Sequence, residues 1–195
     1  MQTVDTLLTQ LYNSGLLLQH DTVLPSLTSL VANAPVSGSW WSHPHANQIY
    51  TLLNILAEHP DVLVVKLVRG KATLLHRRLW PALLGVTCAR EDWQFAKLSE
   101  SAQALYEAVE QQGVLRATGA VPKELERRLL VQSSQVHTER GHHELQLTSW
   151  SLWAEQVGCA PVVPASLGRM QLELAIQTIK GSAEMLPWHA KRVAR

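Results

Sequence analysis

The sequence predicts a mixed α+β fold, mainly helical with small hairpins. Three observations carry that expectation. Apolar residues recur at helical spacing, as Val4, Leu7, Leu8 and Leu11 do at i, i+3, i+4 and i+7. Two short strand-like stretches end in glycine-bearing turns, one closed by Arg69-Gly70 and one by Glu139-Arg140-Gly141. Composition is ordinary: 195 residues, 46% hydrophobic and 17% charged, with 10 glycines and 9 prolines. Such a chain buries a real core, and a disordered or collagen-like chain is excluded.

Taken in order, residues 3–18 read as an amphipathic helix with Asp5 in its first turn. Residues 22–32 read as a second helix with Pro25 near its start, and 33–43 as a loop rich in Gly, Ser and Pro. Ile49, Leu52, Leu53 and Leu56 place one apolar face on a helix over 44–58, which His59-Pro60 ends because the residue before proline avoids the α region. The β-branched run 62–68 is a strand, and 71–76 returns as its partner. A helix over 77–87 tolerates Pro81 only in its first turn. The polar connector 88–97 is the candidate domain boundary.

Ser99 is a natural cap for a helix over 99–112, with Ala102, Leu105, Tyr106 and Val109 as its stripe and Gly113 as its stop. A short strand follows at 114–118. Pro122 suits the first position of a helix running on to residue 131. Strands at 134–138 and 142–148 make the second hairpin, and a last helix covers 166–180. The order helix, strand, helix, hairpin over 99–148 is that of a winged helix, and 44–76 repeats part of it. The expected architecture is therefore tandem winged-helix-like units: 1–90, 98–160, and a helical tail at 161–195 packed on the core. A complete winged helix has one more helix before its recognition helix, and 119–121 leave no room for it.

Charge is placed unevenly. No Lys or Arg precedes Lys66, so Asp5, Asp21, Glu58 and Asp61 give residues 1–65 a charge of −4, against +1 for the whole chain. Lys66, Arg69, Lys71, Arg77, Arg78 and Arg90 then follow with no acid among them. Clustered base marks a polyanion-binding surface, or simply a solvated face. No apolar run is long enough to span a bilayer, and no basic segment precedes an apolar stretch at the start, so neither a membrane partner nor a signal peptide is expected. Two cysteines, Cys88 and Cys159, are too few for a disulfide framework; both read as small core residues, and a reducing cytoplasm is the default compartment.

The string Gly70-Lys-Ala-Thr-Leu-Leu-His-Arg-Arg-Leu-Trp-Pro-Ala-Leu-Leu84, with Leu125-Glu-Arg-Arg-Leu-Leu-Val131 and His137-Thr-Glu-Arg-Gly-His142, resembles uncharacterised bacterial winged-helix proteins. These are in turn distantly similar to the winged-helix alkylpurine DNA glycosylases. The resemblance covers about residues 60–155 and implies the fold and association with DNA. Those glycosylases carry a Gln-x-Gln or Gln-x-Asp catalytic motif. Here Gln132 and Gln135 have the wrong spacing, and Gln146-Leu147-Thr148 lacks the second polar member, so no glycosylase activity is implied.

The expected partner is double-stranded DNA. Lys66, Arg69, Lys71, His76, Arg77 and Arg78 would make the main phosphate contacts, and Lys123, Arg127, Arg128 and Arg140 the secondary ones. Glu124 and Arg128 at i, i+4 offer the bland alternative of an intrahelical pair that masks charge. His137, His142 and Glu139 are candidate metal ligands, set against a polar wing tip; His142 and His143 point to opposite faces of a strand. His43-Pro-His45 beside Trp40 and Trp41 offers either a base-stacking platform or a loop anchored on the core. No cofactor is expected. The leucine-rich, charge-poor first 65 residues offer a face for a homodimer. A diverged DNA-processing enzyme and a protein-interaction module are the alternative readings.

Overall fold

The computed structural model describes residues 2–137 and 143–189. They form a mixed α+β protein, mainly helical, with two small antiparallel three-stranded sheets. The chain divides into two compact units, one made of residues 1–80 and 170–195 and the other of 81–169. The polar stretch 88–97 is therefore not the boundary but lies inside the second unit. Its short helix, given below, sets Gln94, which is fully buried, to donate toward the Thr87 and Leu129 carbonyls at 3.3 and 3.4 Å. The tail is likewise divided, with 161–169 in the second unit and 170 onward in the first.

In the first unit the expected opening helix stops early. α1 spans Val4–Ser14, and Gly15 leaves it in the left-handed region at φ 82°, its amide donating to the Leu11 carbonyl at 2.7 Å. β1 (Leu16–Leu18) follows, all three leucines buried and paired with the last strand of the sheet. Local periodicity favours helix here; burial of three successive leucines against a sheet outweighs it. α2 (Leu27–Ala32) starts at a Ser26–Ser29 capping box, and α3 spans Ala46–Ala57. β2 (Val62–Val68) and β3 (Lys71–His76) form the expected hairpin. Arg69 and Gly70 both take positive φ at its turn, as a two-residue hairpin with right-handed twist requires. The strand order is β1-β3-β2, with two helices between β1 and β2.

The leucines of the first 65 residues are largely spent inside. Leu7, Leu11, Leu17, Leu27, Leu52 and Leu56 are buried in one core with Trp40, Ile49 and Leu74. They supply this core. After the C-terminal helix, Leu186 is fully buried and the Met185 carbonyl accepts from the Arg69 amide at 2.8 Å, so the final segment returns to the hairpin turn.

α4 (Trp80–Thr87) opens the second unit and carries Pro81 in its first turn, as expected. α5 (Asp92–Phe95) is short, and α6 (Glu100–Gln112) runs from its Ser99 cap to Gly113. β4 (Val114–Ala117) and α7 (Ala120–Arg127) follow, then β5 (Gln132–His137) and β6 (His143–Thr148) in the order β4-β6-β5. Here a single helix lies between the first and second strands, as the spacing requires. α7 ends four residues short of expectation because Leu129 takes φ 53° and Leu129, Leu130 and Val131 turn inward to the core. α8 (Trp150–Val157), which the sequence does not predict, is framed by the Ser149 cap and Gly158. α9 (Ala165–Thr178) completes the helices.

Cys88 and Cys159 are not core residues. Cys88 is exposed just past the end of α4, and Cys159 is half-buried.

Candidate nucleic-acid interface

The basic run 66–78 does not form one ridge. β3 carries Lys71 at its turn end and His76 at its other end, about 17 Å apart at the usual rise of a strand. At the turn end, Lys71 donates to the buried Asp21 carboxylate at 2.7 Å. Asp21 also accepts from the Val23 and Leu24 amides at 2.9 Å. Burial raises its pKa, but the Leu24 and Val23 amides and the Lys71 ammonium outweigh burial and lower it to about 2. Lys71 is thus a structural counter-ion. Arg69 is exposed at the turn and Lys66 is half-buried in β2; neither has a carboxylate partner among the described residues.

At the other end of β3, Arg77 lies 3.7 Å from Asp61 and over the Trp80 ring at 5.5 Å. Arg78 donates to the Asn13 carbonyl at 3.1 Å. His76 Nδ1 accepts from the Arg78 amide at 3.2 Å, capping the 3-10 turn Arg77–Leu79, and its ring meets Tyr12 edge-on at 5.2 Å. Burial, then Arg78 and His59, lower the His76 pKa below its usual value against the opposing charge of Asp61. Protonation also removes the acceptor that caps the turn. A proton-detected titration should therefore place the His76 midpoint below 6.5, and a midpoint above that value would contradict this environment. Arg90, the last of the run, is ion-paired with Glu110.

In the second unit the charges are arranged differently. The helix α7 and its C-terminal cap hold two acids and three bases. Glu124 accepts from the Ser99 amide at 3.0 Å and the Ser99 hydroxyl at 2.7 Å, which lower its pKa. Glu126, buried, accepts from the Ser133 hydroxyl at 2.5 Å. The anticipated Glu124–Arg128 ion pair is not formed; Arg128 instead donates to the Trp93 carbonyl at 2.9 Å. Both carboxylates are taken up by serines, and Lys123 and Arg127, one turn apart, remain exposed with no carboxylate partner among the described residues. Exposed Lys97 and Arg116 share that property. Their lone positions along the chain give no signal that would single them out.

The tip of the second hairpin, with Glu139, Arg140 and His142, lies outside the described residues. β5 and β6 bring His137 opposite His143 in register. Among the described residues no group of three His, Cys, Asp or Glu is arranged to hold a metal ion. No helix there is long and apolar enough to cross a membrane.

The two loop tryptophans separate the two readings given to them. Trp40 is 8% exposed and anchors the loop in the first core, while Trp41 is 62% exposed and stacked on it at 4.0 Å. His43 and His45 lie beside each other at 5.5 Å.

Compared with protein-family models, with curated proteins and with solved structures, the chain shows no significant match in any of the three.

Proposed function

We propose that the chain is a winged-helix protein that associates with double-stranded DNA, with no reaction assigned to it. One observation carries the proposal: on α7 both carboxylates are engaged by Ser99 and Ser133, which leaves Lys123 and Arg127 exposed on neighbouring turns. A helix that precedes a hairpin, with its cations outward and its anions tied down, suits the phosphate backbone. The strand orders β1-β3-β2 and β4-β6-β5, each with its last two strands forming a hairpin, support the winged-helix reading. The resemblance noted in the sequence supports the same fold and partner. Lys71 and Arg77 have acidic partners, so the proposed contact centres on α7 rather than on 66–78. Each phosphate contact makes the binding fall as salt rises, and the small number of them on α7 keeps it modest in strength.

The test is titration of a labelled duplex between about 50 and 200 mM salt. Lys123→Ala with Arg127→Ala should lower the salt slope by about 2, close to one for each phosphate no longer neutralised. Arg77→Ala, which removes a cation already facing Asp61, should change it little. A wild-type protein that binds no duplex at the lowest salt, or a double variant that binds as the wild type does, overturns the proposal.

A further inference from the structure

We infer that Ser99 governs the strength of DNA binding without touching the DNA, by holding Glu124 away from Arg127. Ser99 is a positioning residue for the phosphate contact. This rests on the proposed association of α7 with DNA and concerns what keeps that contact charged.

The competition is built into α7. Glu124 precedes Arg127 by three residues and Arg128 by four, the two spacings at which side chains on one helix meet. Left to helix geometry alone, its carboxylate would pair with one of them. Arg128 is already engaged. It is half-buried, and its guanidinium donates to the Trp93 carbonyl at 2.9 Å and toward the Gln94 carbonyl at 3.4 Å. Arg127 is exposed, so it is the cation that a released Glu124 would mask. Glu126 does not compete for it, being buried and bound to the Ser133 hydroxyl.

What diverts Glu124 comes from another element, 25 residues away in the chain. Ser99 offers the carboxylate two donors, its amide to one oxygen at 3.0 Å and its hydroxyl to the other at 2.7 Å. Donors on both oxygens fix the direction of the carboxylate as well as its place. The Ser99 hydroxyl is the largest cause of the lowered Glu124 pKa, and the Arg128 charge the smallest. The same hydroxyl oxygen accepts from the Ala102 amide at 3.3 Å and so caps α6. Capping needs an acceptor at this position, whereas holding Glu124 needs a donor. A side chain that only accepts therefore separates the two roles.

The experiment is duplex titration across salt with the full chain carrying Ser99→Asp. That substitution keeps the cap acceptor, loses the hydroxyl donor and repels Glu124. The salt slope should fall by about one or more, since Arg127 then faces a carboxylate instead of a phosphate. Adding Glu124→Gln to Ser99→Asp should return about one, while Glu124→Gln in the wild type should raise the slope by clearly less. Ser99→Thr, which keeps both donor and acceptor, should bind most nearly as the wild type does. Thermal unfolding checks that the cap of α6 survives. If Ser99→Asp does not fold, Ser99→Gly, a tolerated cap without the hydroxyl, should shift the slope in the same direction. A Ser99→Asp protein with the wild-type slope overturns the inference, as does an equal effect of Glu124→Gln in the two backgrounds. Lys123→Ala with Arg127→Ala separates the two failures. If that pair alters the slope and the Ser99 variants do not, only this inference falls. If the pair has no effect, or the wild type binds no duplex, the DNA reading falls and this inference with it.

Discussion

Gly85→Ala is expected to destabilise the second unit by roughly 1–3 kcal/mol, although alanine is the better helix former. Gly85 lies within α4, and a Cβ there would stand 2.3 Å from the Val162 carbonyl oxygen. That oxygen cannot simply retreat, because the Val162 amide donates to the Pro81 carbonyl of the same helix at 2.8 Å. Propensity favours alanine by at most about 1 kcal/mol. Relieving a contact about 1 Å too close, against backbone on the other side, costs more. Gly168→Ala should behave alike, since its Cβ would meet the Ala82 carbonyl at 2.5 Å. Ala82 and Gly85 are neighbours on α4, so the two substitutions should not add. Gly38→Ala is the comparison: its φ is positive but nothing lies within 4 Å, so only backbone strain is incurred. Thermal unfolding should show Gly85→Ala lowered by several degrees more than Gly38→Ala. Equal shifts would mean that the close approach is not rigid.

Asp21→Ala should cost the first unit about 2–4 kcal/mol at neutral pH, because it leaves the Val23 and Leu24 amides without their acceptor and Lys71 without its counter-ion. The same carboxylate sets an acid limit. Its folded pKa, about 2, lies below the unfolded value of 3.8. The unfolded chain therefore takes up the proton first, and the stabilisation is complete above the unfolded value and lost as pH falls toward 2. The difference corresponds to about 2 kcal/mol for a carboxylate that is almost fully buried. Denaturant unfolding of wild type and Asp21→Asn should converge as pH falls from about 5 to 2. Curves that stay parallel over that range would contradict the assignment. Lys71→Met should also destabilise, which would identify Lys71 as a structural residue and remove it from the phosphate-binding set.

Lys71 and Asp21 also show why the candidate interface is only partly legible in the sequence. They are 50 residues apart, and the absence of acid near Lys71 in the chain says nothing about acid near it in space. The same holds for Arg90 with Glu110. On α7 the opposite happens. Helical spacing offers Glu124 to Arg128, but Ser99 takes that carboxylate instead. A charged side chain pairs with whatever the fold brings near it, and sequence spacing reports neighbours only within one element.

By itself the sequence determined the local elements whose signals are short-range. The hairpin Val62–His76 follows from β-branched residues and an Arg-Gly turn, and α6 from Ser99, its apolar stripe and Gly113. The mixed, mainly helical class follows from those periodicities. Only the tertiary structure decided that Leu16–Leu18 leave the first helix to become an edge strand, because pairing with Leu74 and Leu75 and burial in the core outweigh helical propensity. It also decided which cations remain unpaired and which of two adjacent tryptophans stays uncovered. Burial and ion pairing depend on distances between residues remote in the chain, and those distances exist only once the chain has folded.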